Sequence, residues 1–345
     1  EGEINKKQCY VITDTKTNQT KSESGAPYEA SNSVITKHYF GRKWMGKKSK
    51  GKSLLVMSYN AETQHYIDQN FIKDKQENSK FDKQYRYKPN DERAFDYNYR
   101  LKKLINLINF YNPDVLCIQE ATSSTSLSGM KLSLHIDLNA LNLTLINKYI
   151  IIGFGKFKNH IIMIKKNLPI KIISNKYQYI SSFKIISIAK FAFKTSSVDL
   201  PTFAVLNVHL TVPKDETSIQ VFKEEIQKLC LIIEETQASI ILCGDFNCGP
   251  NCVDKGKELD SKHWNHLVKK LSTVGLTPFV DPAKRNFTTY TNKPNKFRGT
   301  LDHFFISKDL KCVQFLKEPT EERLKSENGM LSRYRPSDHI PILAR

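Results

Sequence analysis

The stretch Ser239–Pro250, SIILCGDFNCGP, carries the most suggestive chemistry in the chain. Ile240 to Cys243 is a short apolar run ending at Gly244, the pattern of a buried strand that empties into a turn. Beyond it stand Asp245 and Asn247, separated by apolar Phe246. Alternate residues of an extended segment share a face, so the two polar side chains should project together from the strand's end. A carboxylate and a carboxamide held there can activate a water and hold a phosphate oxygen. Gly, Asp and Asn are also favoured turn residues, so this stretch by itself reads as an ordinary strand exit too.

The same few polar residue types recur at other strand ends. Ser53–Tyr59 (SLLVMSY) reads as a strand that delivers Asn60 and Glu62, two apart. Val115–Ile118 reads as a buried strand ending in Gln119 and Glu120. Glu is seldom buried without a partner, and a cation is the commonest one in such a place. Phe203–Val208 leads to Asn207 and His209, although a lone His at a strand end is more often structural than a ligand. Thr300–Ser307 (TLDHFFIS) carries Asp302 and His303 in its middle, and Arg335–Leu343 (RPSDHIPIL) sets Asp338 and His339 before a last apolar run. Each segment has a plain structural explanation; together they have the makings of a hydrolytic metal site. Oxygen donors such as Glu120, with Glu62, Asp245 and Asp338 as further candidates, suit Mg2+ or Mn2+ rather than zinc. The chain has neither an H-E-x-x-H motif nor a Cys/His spacing that would suit zinc, and it lacks the glycine loop of an NTPase.

The elements that must position these groups alternate. Helical spacing runs over Arg93–Tyr111, closed by Pro113, and recurs over Val221–Thr236 and Leu267–Val274. Between residues 130 and 200, short apolar runs (Tyr149–Ile152, Ile161–Ile164, Ile170–Ile173, Lys184–Ile188) alternate with polar turns, as in an antiparallel meander. The expected fold is therefore an α/β or α+β layered domain over residues 53–345. Residues 1–52, polar and ending in the basic run Arg42–Lys52, read as a flexible extension, and the charged segment 68–90 as an exposed loop or frayed helix.

A net charge of +18 over 345 residues points to a polyanionic partner, nucleic acid or an anionic membrane surface, although Lys-rich composition throughout the chain competes with that reading. The seven scattered cysteines, with no C-x-x-C pair, suit a reducing intracellular compartment. No apolar run is long enough to span a bilayer. The chain starts at Glu1 rather than Met, which reads as a fragment, with a targeting segment upstream left open.

The ordered series Ser58-Tyr59-Asn60, Ile118-Gln119-Glu120, Asn207-Val208-His209-Leu210, Gly244-Asp245-Phe246-Asn247, Leu301-Asp302-His303-Phe304 and Ser337-Asp338-His339 resembles the DNase I-like endonuclease/exonuclease/phosphatase superfamily. The resemblance runs from about residue 53 to the C-terminus, and its last three motifs are the specific ones. It implies a four-layered α/β sandwich of two packed, mostly antiparallel sheets flanked by helices, with the site at one edge. Carried across, Glu120 would bind Mg2+ with help from Asn60, and Asp338 would lie beside the metal. Asp245 would orient or deprotonate the attacking water, and Asn247 would hold the water or a phosphate oxygen. His209 would donate to the phosphate, and Asp302 would fix the tautomer of His339.

Within that superfamily, Asn286–Phe304 (NFTTYTNKPNKFRGTLDHFF) is similar to the deadenylase, nocturnin and 2′-phosphodiesterase branch, as are Pro213 and Pro336. His303 stands where that branch usually has Tyr, Thr211-Val212 replaces an aromatic dipeptide, and Ala121-Thr122 replaces Val-Glu. Glu62 instead resembles the acid of abasic-site endonucleases and tyrosyl-DNA phosphodiesterases. The expected function is a Mg2+-dependent phosphodiesterase of nucleic acid, with RNA favoured over DNA and a 3′-exonuclease favoured among activities. The alternatives are a DNA-repair enzyme, a sphingomyelinase or other phosphodiesterase, and a non-catalytic nucleic-acid-binding module. Nothing in the sequence points to a protein partner.

Overall fold

The structure, a computed structural model, describes residues 42–46, 53–61, 97–120, 145, 147–152, 160–182, 184–194, 202–281, 285–291, 297–326, 335 and 337–345. Lys43–Arg345 form one compact unit. Its strands are β1 (Trp44–Gly46), β2 (Val56–Asn60), β3 (Val115–Gln119), β4 (Tyr149–Ile152), β5 (His160–Lys165), β6 (Ile170–Tyr179), β7 (Ile185–Phe193), β8 (Thr202–His209) and β9 (Ser239–Asp245). They continue with β10 (Val253–Asp254), β11 (Lys257–Glu258), β12 (Leu276–Pro278), β13 (Thr289–Tyr290), β14 (Arg298–Gly299), β15 (Asp302–Ser307), β16 (Gln314–Leu316) and β17 (Ile342–Ala344). The helices are α1 (Tyr97–Tyr111), α2 (Glu216–Thr236), α3 (Lys262–Thr273) and α4 (Glu321–Ser326).

Among the described residues the strands form two large sheets and one small one. The first large sheet has the order β1-β16-β17-β2-β3-β5-β4, the second β12-β15-β9-β8-β7-β6, and the small one β11-β10-β14-β13. All pairings are antiparallel except β2 with β3 and β8 with β9. Parallel neighbours need a crossover, and among the described residues each crossover contains a helix: β2–α1–β3 and β8–α2–β9. α2 starts where a capping box forms, with Asp215 accepting from the Ser218 N–H and Ser218 accepting from the Asp215 N–H. This places its start earlier than the apolar spacing from Val221 indicates. α2 and α3 pack Phe222, Ile226, Leu229, Trp264, Leu267 and Leu271 on the outer face of the second sheet. α1 buries Leu101, Leu104, Ile105 and Ile108.

Between the large sheets the core is apolar at one end and polar at the other. Val56, Cys117, Ile162, Ile164, Ala189, Phe191, Phe203, Val205, Cys243 and Phe304 form the apolar part. One residue pair further along the same strands come Ser58, Gln119, His160, Ser187 and Asn207, all fully buried. Gln119 Nε2 donates to Asn207 Oδ1 (2.6 Å) and to Ser58 Oγ (3.1 Å), and Asn207 Nδ2 donates to the Ile118 and Ile161 carbonyls. These bonds tie the two sheets together, because Gln119 and Asn207 sit on different ones. Among the described residues, Gln119 Oε1 and both ring nitrogens of His160 lack a hydrogen-bond partner in this layer, so the Gln119–Asn207 bonds are what fix the register of one sheet on the other.

Three expectations change. Trp44–Gly46, assigned from sequence to the flexible extension, pairs antiparallel with β16. Its apolar Trp-Met dipeptide adds an edge strand, and Gly46 adopts a φ of +93° where a Cβ would stand 2.2 Å from the Val313 carbonyl oxygen. The apolar runs between 149 and 188 are not one meander. β4 and β5 pair in the first sheet and β6 and β7 in the second, because the chain crosses between sheets after Lys165. Asp302 and His303 begin β15 rather than occupying its middle. The segment 68–90 lies outside the described residues, and within them no helix is long and apolar enough to cross a membrane.

Candidate active site

Both parallel pairs run in the same sense toward the polar end of the core, and the chain there supplies charged groups. β2 ends on Asn60, β3 leads to Glu120, β8 ends on His209 and β9 ends on Asp245. β15 runs opposite to β9, so its first residue, Asp302, pairs with Asp245. His339, just before β17, bridges to Thr289. Loops beyond the carboxyl ends of parallel strands are where a layered α/β fold leaves room for a ligand.

Backbone geometry aims several of these side chains. Gln119 faces the inter-sheet core, so regular alternation would turn Glu120 away from it. Glu120 instead has a φ of 57°, which breaks the alternation. Such a conformation is uncommon for a non-glycine residue and collects at functional sites. Asn247 is also left-handed, with a φ of 52°. Gly244 has a φ of 147°, and a Cβ there would stand 1.9 Å from the Val208 carbonyl oxygen, so only glycine lets β9 run this close to β8.

Asp245 is the hub. Its Oδ1 accepts from the Asn247 N–H (2.8 Å), and its Oδ2 accepts from Asn60 Nδ2 (2.9 Å). The same Oδ2 lies 3.6 Å from His209 Nε2 and 3.7 Å from His339 Nε2. Asn60 Nδ2 also donates to Glu120 Oε1 (3.0 Å), which lies 3.9 Å from His209 Nε2. Asn60 therefore spans two carboxylates through its amide nitrogen. Asn247 Nδ2 donates to the Leu210 carbonyl (2.8 Å). His339 Nδ1 meets Asp302 Oδ2 at 2.8 Å and Thr289 Oγ1 at 3.1 Å, and its Nε2 lies 3.8 Å from Asp338 Oδ1. The Ser337 hydroxyl donates to the Asn60 carbonyl and accepts from the His339 N–H, joining the last motif to the first.

The site thus brings Asn60, Glu120, His209, Asp245, Asn247, Asp302, Asp338 and His339 together. Glu62 and Pro336 lie outside the described residues. His303, beside Asp302, points elsewhere: its ring stacks on Trp264 at 4.2 Å between centroids, and its Nε2 lies 3.1 Å from the Cys248 carbonyl.

The electrostatics separate the two cleft histidines. Burial lowers His209, and the charges of Lys184, His160 and His339 lower it further, so it stays neutral and its contacts with Asp245 and Glu120 are not ion pairs. Burial also opposes charge on His339. The fields of Asp302, Asp338 and Asp245, with the Asp302 hydrogen bond, outweigh it and hold His339 cationic well above the usual range. Burial, with the nearby Asp302, pushes Asp245 up to about 7, against the pull of His339, the Asn247 N–H and Asn60. Desolvation, then the nearby Glu120, raise Asp338, against the pull of His339 and, less, of Arg100.

Several contributors were not recognised from sequence. Thr289 holds His339, and Thr288 Oγ1 accepts from the Leu301 and Asp302 N–H groups at the start of β15. Arg285 donates to the Asp302 carbonyl and pairs with Glu318, both side chains almost fully buried. Arg100, buried in α1, donates to the Ala61 carbonyl. The threonines lie in the FTTYT run, which was their only signal.

Residues 57–339 match the model of the endonuclease/exonuclease/phosphatase family. The chain belongs to that family. It is accordingly a hydrolase of phosphate-ester bonds, and enzymes of this family generally depend on a divalent metal. No curated protein matches the sequence. Solved structures share the fold at low identity. One is ANGEL2, a 2′,3′-cyclic phosphatase, in complex with adenosine-2′,3′-vanadate: 18% identical, TM-score 0.63, covering 88% of this chain and 97% of that one. Another is the human Nocturnin catalytic domain with bound sulfate: 15% identical, TM-score 0.52, covering 89% and 96%. A third is D. rerio TDP2 with a single-strand DNA product: 14% identical, TM-score 0.51, covering 84% and 97%.

The donor set fits a family-type cation. Among the described residues no three His, Cys, Asp or Glu side chains enclose a common point at ligand distance. Burial is the main cause that raises Asp245 and Asp338, and the charge of Glu120 adds to it at Asp338; a divalent ion there would favour their charged forms. One or two carboxylates with several waters is how Mg2+ is usually held.

Proposed function

We propose that the protein is a Mg2+-dependent phosphodiesterase of nucleic acid, with RNA favoured over DNA and 3′-exonuclease action favoured over internal cleavage. The observation that carries this reading is the placement of a cationic His339, a neutral His209 and a raised Asp245 around one carboxylate oxygen, Asp245 Oδ2. Phosphodiesters resist hydrolysis because their anionic oxygens repel a nucleophile, so the site must absorb negative charge and supply a base. Glu120 and Asp338 would hold the Mg2+, whose charge offsets that of the phosphate.

Asp245, raised to about 7, is basic enough to orient the attacking water and take its proton. Asn247 keeps one amide hydrogen beyond the Leu210 contact for the water or a phosphate oxygen. Asp302 Oδ2 accepts a hydrogen bond from the His339 Nδ1–H, so His339 Nε2 presents its hydrogen to the cleft, where charge develops on the phosphate. His209, neutral, donates a hydrogen bond without adding a second cation. Asn60 keeps Glu120 and Asp245 at a fixed separation.

The RNA preference is supported by the resemblance of residues 286–304 to the deadenylase and nocturnin branch and by the charge of +18. The likeness to ANGEL2 favours one further substrate for the same site, a terminal 2′,3′-cyclic phosphate. The test is a panel of labelled poly(A), mixed RNA, single-stranded and abasic DNA, and RNA ending in a 2′,3′-cyclic phosphate, each with Mg2+ and with EDTA. Cleavage of RNA that EDTA and Asp245→Ala both abolish is the expected result. Turnover of a phosphoinositide or sphingomyelin with all nucleic acids left intact would refute the reading.

A further inference from the structure

The catalytic row does not stop at His209. His209 pairs with Asp245, and Asp245 with Asp302. In the other direction the β7–β8 register sets Ser187 opposite Asn207, so two residues on Ile185 stands opposite His209. Ile185 in turn pairs with Tyr179, and Ser187 pairs with Tyr177. Paired residues on neighbouring strands share a face. Ser187 donates through Oγ to the His160 carbonyl on the other sheet, which identifies that face as the one carrying the catalytic side chains. Tyr177 and Tyr179 therefore lie on the catalytic face, at the levels of Asn207 and His209. At the usual strand spacing Tyr179 is about 10 Å from His209 across the sheet.

Tyr177 is 42% exposed and Tyr179 39%, and they meet edge to face with centroids 6.2 Å apart. They stand on β6, which ends the second sheet and is exposed along most of its length. β6 has no acidic residue, and its Lys171 and Lys176, paired with Ala192 and Ile188, face the other side of the sheet from the two rings. Lys184, at the turn into β7, lies close enough to His209 and His160 for its charge to bear on both. Exposed aromatic faces on the catalytic side, with the Lys184 cation at the same end of a site that acts on phosphate, match the way single-stranded nucleic acid is held: bases stack on rings and the backbone follows the positive charge.

We propose that Tyr177 and Tyr179 form a base-stacking platform for single-stranded nucleic acid, holding nucleotides next to the phosphate that lies at His209, Asp245 and His339. This rests on the nucleic-acid reading above and narrows it to strands whose bases are unpaired. Duplex bases, already stacked on each other, offer the platform no open ring face.

The test compares kcat/KM for a single-stranded oligonucleotide with kcat/KM for bis(p-nitrophenyl) phosphate, which has a reacting diester but no bases. Wild type is measured beside Tyr177→Ala/Tyr179→Ala and Tyr177→Phe/Tyr179→Phe, with thermal melting as the check on folding. The platform predicts that the ratio of the two kcat/KM values falls about 10-fold or more in the alanine variant, through KM for the oligonucleotide. The phenylalanine variant should restore it, because the ring rather than the hydroxyl does the stacking. An unchanged ratio overturns the platform, as does a change in oligomeric state by sedimentation with no change in the ratio. If wild type hydrolyses the small diester and no oligonucleotide, the nucleic-acid reading itself fails. If wild type cuts the oligonucleotide and the ratio is insensitive to both variants, only the platform fails.

Discussion

Asp302 Oδ2 and His339 Nδ1, contributed by the start of one strand and the approach to another, meet at 2.8 Å inside a site where each is almost fully buried. A buried carboxylate that bonds one imidazole nitrogen decides which way the other faces. Asp302→Asn keeps the shape and can leave the proton on the wrong nitrogen. kcat should fall by about 10²–10⁴-fold with little change in KM. The pH–rate profile gives a second readout. Activity that needs cationic His339 is lost as pH rises through its raised pKa. Removing the Asp302 charge lowers that pKa, so the alkaline limb should move to lower pH.

Thr289 contributes a smaller part of the same arrangement. Its Oγ1 lies 3.1 Å from His339 Nδ1, sharing that nitrogen with Asp302. Thr289→Val keeps the volume and removes the hydroxyl. A loss of roughly 3- to 10-fold in kcat is expected, the size of one modest hydrogen bond, with KM held. Steady-state kinetics on the preferred oligonucleotide measure it.

Asp245 is functional and costly to the fold. Its folded pKa of about 7 lies above the usual carboxylate value. A raised carboxylate binds its proton more tightly in the folded state, so stability declines as pH rises from about 4 to about 7. Asp245→Asn removes that dependence. In EDTA the variant should melt about 2–5 °C above wild type at pH 8, and the two should converge near pH 4. Activity should be lost at every pH.

Glu120 tests the metal assignment. Replacing it with Gln keeps the Asn60 contact in kind and removes the charge. The Mg2+ concentration giving half-maximal activity should rise at least about 10-fold. A Mg2+ titration that superimposes on wild type would remove Glu120 from the metal site.

What could be read from the chain and what could not divides along physical lines. Asp245 with Asn247, and Asp338 with His339, stand in short contiguous motifs after or before apolar runs, so local alternation was enough to find them. Glu120 was legible as a residue and not as a geometry, because its φ of 57° depends on the turn that follows β3. Gln119 and Asn207 read as polar residues at strand ends, and His160 gave no signal. Only the packing of one sheet on the other shows that they form a layer beneath the charged groups. Short apolar runs between polar turns located β4 to β7, but such runs carry no information about which sheet a hairpin joins. Trp44–Gly46 is too short for any periodicity, and its pairing is set by β16, far along the chain.

The central claim is that these scattered side chains act on one nucleic-acid phosphate. The most direct measurement follows 5′-labelled single-stranded RNA with Mg2+, comparing wild type, Asp245→Ala and His339→Ala. The account predicts stepwise shortening from the 3′ end by wild type and a loss of at least about 10²-fold in rate for each variant. Intact RNA with wild type, or shortening that survives both substitutions, would contradict it.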